Sequence, residues 1–492
     1  MIFNSLEFLI FYPMVLLLYF TLPKKYRWMM LLAASAFFYL YWSVKLIFLI
    51  LFTIVISYTA AILIEKYKDN LVLKRTCLVV TLVACFGVLF FFKYFNFLAD
   101  SVVSVANLFG AGWDDFSLNL ILPVGISFYT FQTLSFVIDV YRGNVPAERH
   151  FGYYALYVTF FPQLVAGPIE RPENLIPQLH ADHDFSWDNA IPGLRKMIIG
   201  FFKKVVVADL IATYVNAVYN SPDTARGLSV LIATMLFAVQ IYCDFAGYTD
   251  IAIGCAQIMG IKLMQNFDRP YISTSIKEFW RRWHISLSSW FQDYLYFPLG
   301  GSRCSRPRHL FNLCVVFLVS GLWHGAAWTF VIWGALHAFY QVVGILLKKP
   351  KAQLYAKLGI DESAPWVQTM RRVITFILVD FAWIFFRANS FSDLAKLMKR
   401  LFTDWEFTYA SIADSFAAMD LTVVAVGIIL AAIFIMNRMD ITDLTPAPSD
   451  GTPEDRSAVA SIRYTYLIWI IAVAWLLLLI GDGASSFIYF QF

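Results

Sequence analysis

Charge is what this sequence has least of. Of its 492 residues only 15% are Asp, Glu, Lys or Arg, while 60% are hydrophobic and 18% aromatic, against roughly 25% charged in ordinary soluble domains. With a mean hydropathy of +0.64, that balance excludes a soluble globular chain and describes a polytopic membrane protein. Cysteine is scarce too: Cys77, Cys85, Cys243, Cys255, Cys304 and Cys314 lie mostly in apolar segments and lack CxxC spacing. This excludes a disulfide framework and a zinc site and leaves packing residues. A net charge of +4 is too small for this length to mark a nucleic-acid-binding protein. No basic region precedes the apolar N-terminus, so no cleavable leader is expected and the first segment reads as a membrane helix. An internal repeat is also missing, which removes the paired halves found in many transporters.

What is present is a series of apolar runs at about 6–22, 28–43, 44–64, 76–92 and 119–138, each near the roughly 20 residues a spanning helix needs. Lys24, Lys25 and Arg27 follow the first run, Lys66, Lys68, Lys74 and Arg75 the third, and Arg142 and Arg149 the fifth. The segment 94–118 carries Asp100, Asp114 and Asp115 with no Lys or Arg. By the positive-inside rule this places the N-terminus outside and 23–27, 65–75 and 139–150 in the cytoplasm. Further spans are expected at about 228–248, 371–386, 419–436 and 463–481, for roughly ten to eleven crossings and an external C-terminus. The loop 437–462, with PAPSDGTPEDRS, reads as polar and flexible.

Between about 153 and 217 the pattern breaks. Pro162, Pro168, Pro172 and Pro177 are too many for an uninterrupted span, and broken or re-entrant backbone at membrane depth is tolerated only where protein or a water-filled cavity shelters it. A cavity is therefore expected. Arg195, Lys196, Lys203 and Lys204 read as a segment held near the cytoplasmic surface. Asp244, Tyr248 and Asp250 either line the cavity or cap helix ends.

Two stretches stand apart. In the first, apolar residues recur at Ile276, Phe279, Trp280, Trp283, Leu287, Trp290, Phe291, Tyr294 and Leu295, the spacing of one helix face. Ser275 with Glu278 forms a capping-box start, and Pro298, Gly300 and Gly301 supply the stop. With Lys277, Arg281 and Arg282 at its start, this predicts one interfacial helix over 275–296, with His284 at the margin of its apolar face. In the second stretch no Asp, Glu, Lys or Arg occurs from Leu310 to Leu347. Basic residues bound it on both sides (Arg303, Arg306 and Arg308; Lys348, Lys349 and Lys351), so it is expected to fold back as a hairpin bending near Gly321 to Gly325. His324 then lies at the tip or on the second arm, flanked by Trp323, Trp328 and small residues. An ionisable group at that depth is costly and marks function by default; the alternative is a buried neutral imidazole bonded to a neighbouring helix. Gly321-x-x-x-Gly325 matches the small-xxx-small pattern of close helix approach.

FWRRWHISLSSWFQDYLYFPLGGSR and SGLWHGAAWTFVIWG together resemble the signature of the membrane-bound O-acyltransferase (MBOAT) family, in its bacterial alginate O-acetylase (AlgI-like) branch. CDFAGYTDIAIG at 243–254 and the opening FNSLEFLIFYPMVLLLYF fit the same branch, and the resemblance covers nearly the whole chain. It implies one MBOAT-like membrane domain over 1–492: N-terminal spans to 150, a core at 151–347 with both histidine stretches, and C-terminal spans at 348–492. The implied fold is all-α, with spanning, re-entrant and interfacial helices around a central cavity.

The resemblance also implies that His324 is associated with acyl transfer, as base or as transient carrier of the acyl group, with His284 as a supporting site residue. On the residues alone, His284 reads as an ordinary solvated histidine. An imidazole near its usual pKa of ~6.5 suits removal of a proton from a sugar hydroxyl. Arg281 and Arg282 bind either lipid headgroups or an anionic donor such as the phosphates of coenzyme A. Trp283, Trp323, Trp328 and Asp244 complete the candidate cavity. His337, thirteen residues after His324 and about 220° round a continuous helix, should not share its face and reads as core packing. HADHD at 180–184 fits no defined zinc spacing, so no metal is expected.

The expected activity is O-acyl transfer to an extracytoplasmic polysaccharide, alginate-like or another exopolysaccharide, at a bacterial cytoplasmic (inner) membrane. Acetyl-CoA is the expected donor substrate, an acyl carrier protein the lesser candidate, and no bound cofactor is expected. Membrane lipid surrounds the protein, and the acceptor is either the polysaccharide or a periplasmic SGNH-type acetyltransferase partner. Rival readings are a D-alanyl transferase for teichoic acid and, from a different class, a transporter.

Overall fold

The computed structural model describes residues 1–444 except 43, 45, 115, 119, 121, 166, 407 and 420, together with 469, 472 and 473. Among the described residues every regular element is a helix. Ile47–Lys66, Leu71–Leu108, Gly227–Ile258 and Trp328–Leu358 are long and apolar enough to cross a membrane; Leu6–Thr21 and Val423–Met439 are apolar but shorter. Where spans are expected at 28–43, 119–138 and 371–386 the chain forms the helices Lys24–Leu40, Ile126–Arg142 and Pro365–Arg387, which are not among the helices long and apolar enough to cross. The one expected at 463–481 lies outside the described residues, as does most of the loop 437–462, whose first residues instead continue the helix Val423–Leu444.

The structure is built on Gly227–Ile258, a 32-residue helix with most of its side chains buried. Its close neighbour runs through 187–219, as Trp187–Phe201, a π-helical stretch Phe202–Ala208 and Asp209–Tyr219. Glycines set the approach: a Cβ on Gly247 would stand 2.7 Å from the Gly200 carbonyl oxygen, and one on Gly254 2.5 Å from that of Gly193.

The charges on this pair point inward, which corrects the surface reading of Lys203 and Lys204. Both are buried. Lys204 Nζ lies 2.7 Å from Asp244 and 2.8 Å from Asp209, Lys203 Nζ 2.9 Å from Asp250, and Lys196 Nζ 3.3 Å from Asp250. Asp244 and Asp250 are therefore mid-helix partners of lysines, and neither caps a helix end. Removing one partner of such a buried pair costs about 3–5 kcal/mol, because the other charge is left uncompensated.

Three further elements position the site. The proline-rich segment is broken as expected, into Phe151–Thr159, Phe161–Leu164 and Pro172–His180. Its side chains are almost all buried from Tyr154 to Pro172, so protein shelters the irregular backbone. The segment 94–118 is not a loop throughout: Leu71–Leu89 passes through a π-helical turn at Phe90–Tyr94 into Phe95–Leu108.

The charge-free stretch is a helical hairpin, Arg306–His324 and Trp328–Leu358, bending at 325–327. A Cβ on Gly321 would stand 2.3 Å from the Phe330 carbonyl oxygen, and one on Gly334 2.3 Å from that of Phe317. The close pair is thus Gly321 with Gly334, one on each arm. Gly325 meets the ring of Phe330 instead.

Candidate active site

The interfacial helix expected over 275–296 is in fact two short helices, Ile276–Arg282 and Ile285–Phe291, followed by a π-helical turn at Gln292–Tyr296. Ser275 caps the first as expected, its Oγ accepting from Glu278 N at 3.2 Å. The Glu278 carboxylate reaches Thr274 N and Oγ1 rather than Ser275 N. The break falls on Trp283 and His284, and His284 adopts a left-handed conformation at φ 44°, unusual for a residue with a Cβ. Such a backbone costs about 1–3 kcal/mol and persists only where its surroundings hold it.

Those surroundings are polar and buried. Asn266 Oδ1 accepts from Ser286 Oγ at 2.6 Å, Asn266 O accepts from Ile285 N at 2.9 Å, and Ser286 Oγ accepts from Ile169 N at 3.0 Å. Arg282 bridges Glu278 at 3.0 Å and Asp268 at 2.8 Å on the near side of the break.

The break turns the His284 imidazole into the protein, where it is 0% exposed. Neither a solvated histidine nor one at a helix margin is found. Its ring packs on Phe245 at 4.6 Å and Trp323 at 5.8 Å, and lies 6.3 Å from the ring of His324. His324, the last residue of the hairpin's first arm, is 3% exposed. Trp323 and Trp333, each at 5.0 Å, and Phe386 at 5.5 Å stand edge-on to it. At a ring separation of 6.3 Å the two imidazoles are too far apart to bond directly.

A cavity of about 100 Å³ reaches His324, bordered by Lys93, Ser127, Phe128 and Trp323 and mouthed by Trp42 and 122–125. A larger pocket of about 480 Å³, lined by Asp139, Arg142, Arg171, Asp293 and Tyr294, opens at the other end of Ile126–Arg142. Ser127 and Asp139 are about 18 Å apart along that helix at 1.5 Å per residue. An aromatic layer lies between the two openings: Phe131 stacks on Trp290 at 3.8 Å and meets Trp323 at 5.7 Å, and Trp290 Nε1 donates to Phe131 O at 3.0 Å. Among the described residues, one opening reaches His324, and Phe131 and Trp290 border neither it nor the second pocket.

The other candidate residues divide. Trp323 touches both histidines. Trp283 is fully buried among Phe267, Phe279 and Trp383, behind the break. Trp328 does not wall the cavity: it is 55% exposed and donates to Ser101 Oγ at 3.2 Å. Arg281 is exposed, Arg282 is engaged with carboxylates, and Asp244 belongs to the lysine layer, so none of the three borders the cavity among the described residues.

His337 packs in the core, its Nδ1 accepting from Trp280 Nε1 at 3.2 Å. The helical-wheel separation from His324 does not apply, because the two lie on different arms. Among the described residues no group of His, Cys, Asp and Glu could hold a metal. His180 instead pairs with Glu148 and Asp184 with Lys24.

Sequence reasoning missed Lys93. It is the lone charge between Arg75 and Asp100, and an isolated ionisable residue in an apolar run is itself a signal.

Comparison with known proteins bears on what this arrangement does. Residues 145–349 match the profile of MBOAT, the membrane-bound O-acyltransferase family. Over 503 residues the chain is 35% identical to the probable alginate O-acetylase AlgI of Pseudomonas putida, covering 100% of both chains. The chain belongs to the membrane-bound O-acyltransferase family.

Within that family it falls in the AlgI-like branch. It is 36% identical to the peptidoglycan O-acetyltransferase of Helicobacter pylori over 397 residues, 75% of this chain and 72% of the other. Similarity to the teichoic acid D-alanyltransferase of Bacillus subtilis is 31% over 288 residues, 56% of this chain and 70% of the other. The protein is a multi-pass membrane O-acyltransferase, and both histidines of the site fall inside the matched residues 145–349.

Proposed function

We propose that this O-acyltransferase moves an acetyl group from cytoplasmic acetyl-CoA to a hydroxyl of an extracytoplasmic polysaccharide, with His324 as the group that handles the proton. The observation that carries this reading is the placement of His324: buried at the tip of an apolar hairpin, facing a second imidazole, and reached by a cavity. Acyl transfer requires a base for the attacking hydroxyl and exclusion of water from the thioester. His324 takes the hydroxyl proton as the oxygen attacks the acetyl carbonyl. The tetrahedral adduct then collapses, the carbon–sulfur bond breaks, and the proton passes to the leaving thiolate. Trp323, Trp333 and Phe386 around the ring keep water from competing as acceptor.

The whole-length similarity to proteins named alginate O-acetylase supports acetyl as the transferred group and polysaccharide as its destination; the similarity to D-alanyltransferases covers little more than half the chain. The setting is the bacterial cytoplasmic membrane with the N-terminus outside, as the loop charges support. The small cavity, mouthed by Trp42 and 122–125, then faces outward to the acceptor, either the polysaccharide or a periplasmic SGNH-type acetyltransferase that completes the transfer. The pocket at Asp139 and Arg142 faces the cytoplasmic donor. Mass analysis of surface polysaccharides from cells with and without the gene tests the reading. Ester-linked acetate that disappears with the gene is expected; D-alanyl ester disappearing in its place, or no change, overturns it.

A further inference from the structure

The last four carbonyls of an α-helix have no partner within the helix, and at the end of Arg306–His324 each of them is accounted for. Gly321 O accepts from Gly325 N at 3.4 Å. The other three are bonded from another helix, by two consecutive residues: Tyr94 Oη donates to Leu322 O at 2.9 Å, and Lys93 Nζ donates to Trp323 O at 2.6 Å and His324 O at 3.3 Å. Lys93 Nζ also reaches Ser127 Oγ at 3.4 Å. Its three donors are thereby directed at the hairpin tip and at the start of Ile126–Arg142, the two elements that border the cavity at His324.

Both donors sit in the π-helical turn Phe90–Tyr94 that interrupts the long helix Leu71–Leu108. Single π-turns of this kind are uncommon and concentrate at functional sites. The ammonium lies against the negative end of a helix, where a cation is favoured, and charge-assisted hydrogen bonds to the final carbonyls are about twice as strong as neutral ones.

We infer that Lys93, assisted by Tyr94, is a positioning residue for the transfer reaction: it clamps the Trp323 and His324 carbonyls so that the imidazole faces the cavity in its reactive place. The inference rests on His324 being the proton-handling group proposed above. Displacement of a reacting group by about 1 Å can cost 100-fold in rate, so a clamp on this backbone acts on turnover and leaves donor affinity alone.

The test uses the full chain in membrane vesicles from cells lacking their own copy. Acetyl-CoA is the donor probe, the host's surface polysaccharide the acceptor, and ester acetate is measured per amount of folded protein. Lys93→Met is expected to lower the maximal rate at least tenfold with the KM for acetyl-CoA within twofold of wild type. Lys93→Arg, which restores a cation and donors, recovers a substantial part of the rate; Tyr94→Phe, which removes one bond, gives a smaller loss than Lys93→Met.

A normal rate for Lys93→Met, or a loss matched by a raised KM, overturns the inference. If Lys93→Met does not fold, the decision passes to Tyr94→Phe, and a rate equal to wild type overturns it. His324→Ala is run in parallel. An active His324→Ala defeats the underlying reading of the site, whereas an inactive His324→Ala beside a fully active Lys93→Met defeats the positioning role alone.

Discussion

His324 and His337 sit on the same indole: the Trp333 ring stands 5.0 Å from one imidazole and 4.9 Å from the other. Both histidines are buried in one aromatic cluster, yet among the described residues His324 borders the cavity and His337 does not. Burial therefore does not separate them, and access does. His337 has the bond from Trp280 to lose, so His337→Ala should cost about 1–3 kcal/mol of stability while acyl transfer per folded molecule stays near wild type. Thermal unfolding in detergent alongside the acetate assay checks both halves.

The hairpin depends on backbone approach at Gly321, where an added methyl meets the Phe330 carbonyl oxygen, and less on Gly325, where it meets a movable phenyl ring. Overpacking typically costs about 1–3 kcal/mol. Gly321→Ala should lower Tm clearly more than Gly325→Ala, and the reverse order would show that the arms are not held by the Gly321–Gly334 contact.

Glu170, buried outside the four spanning helices, accepts from Asn174 Nδ2 at 2.7 Å and from Met264 N. Burial pushes its carboxyl up to about 7, against the opposing pull of the Met264 and Asn174 hydrogen bonds and the Arg171 charge. In the unfolded chain a Glu titrates near ~4.3, so between these values the folded state binds more protons and stability falls as pH rises. The slope reaches at most about 1.4 kcal/mol per pH unit and flattens above the folded value. Tm should drop between pH 5 and 7.5 by more in wild type than in Glu170→Gln; identical slopes would contradict this.

Much of the site was legible because the chain keeps charge out of 310–347 and places small residues where the arms meet. The lone Lys93 was equally present in the sequence, but a single lysine in an apolar run carries no hint of the π-turn that holds it or of which carbonyls it will reach. The break at His284 was invisible for a different reason. One left-handed residue interrupts a helix without disturbing the i, i+3, i+4 recurrence of Phe279, Trp280, Trp283 and Leu287, so periodicity runs through it. Lys203 and Lys204 were misread because loop-charge counting does not register the carboxylates of Asp244 and Asp250 on the facing helix.

Orientation is tested by labelling. Lys68 and Asp114 are both exposed, beyond opposite ends of the segment Leu71–Leu108. Single cysteines introduced at the two positions should label from opposite sides of intact cells, with the residue-114 cysteine reacting with an impermeant reagent and the residue-68 cysteine protected. Labelling of both from outside would contradict the proposed topology and with it the assignment of donor and acceptor openings.

Whether His324 carries the chemistry is read from ester acetate on surface polysaccharide in cells whose only copy is His324→Ala, normalised to the amount of folded protein in the membrane. Loss to the level of cells without the gene, at wild-type protein abundance, is expected. Near-normal acetate with this variant would contradict it and return His324 to the role of a packed core residue.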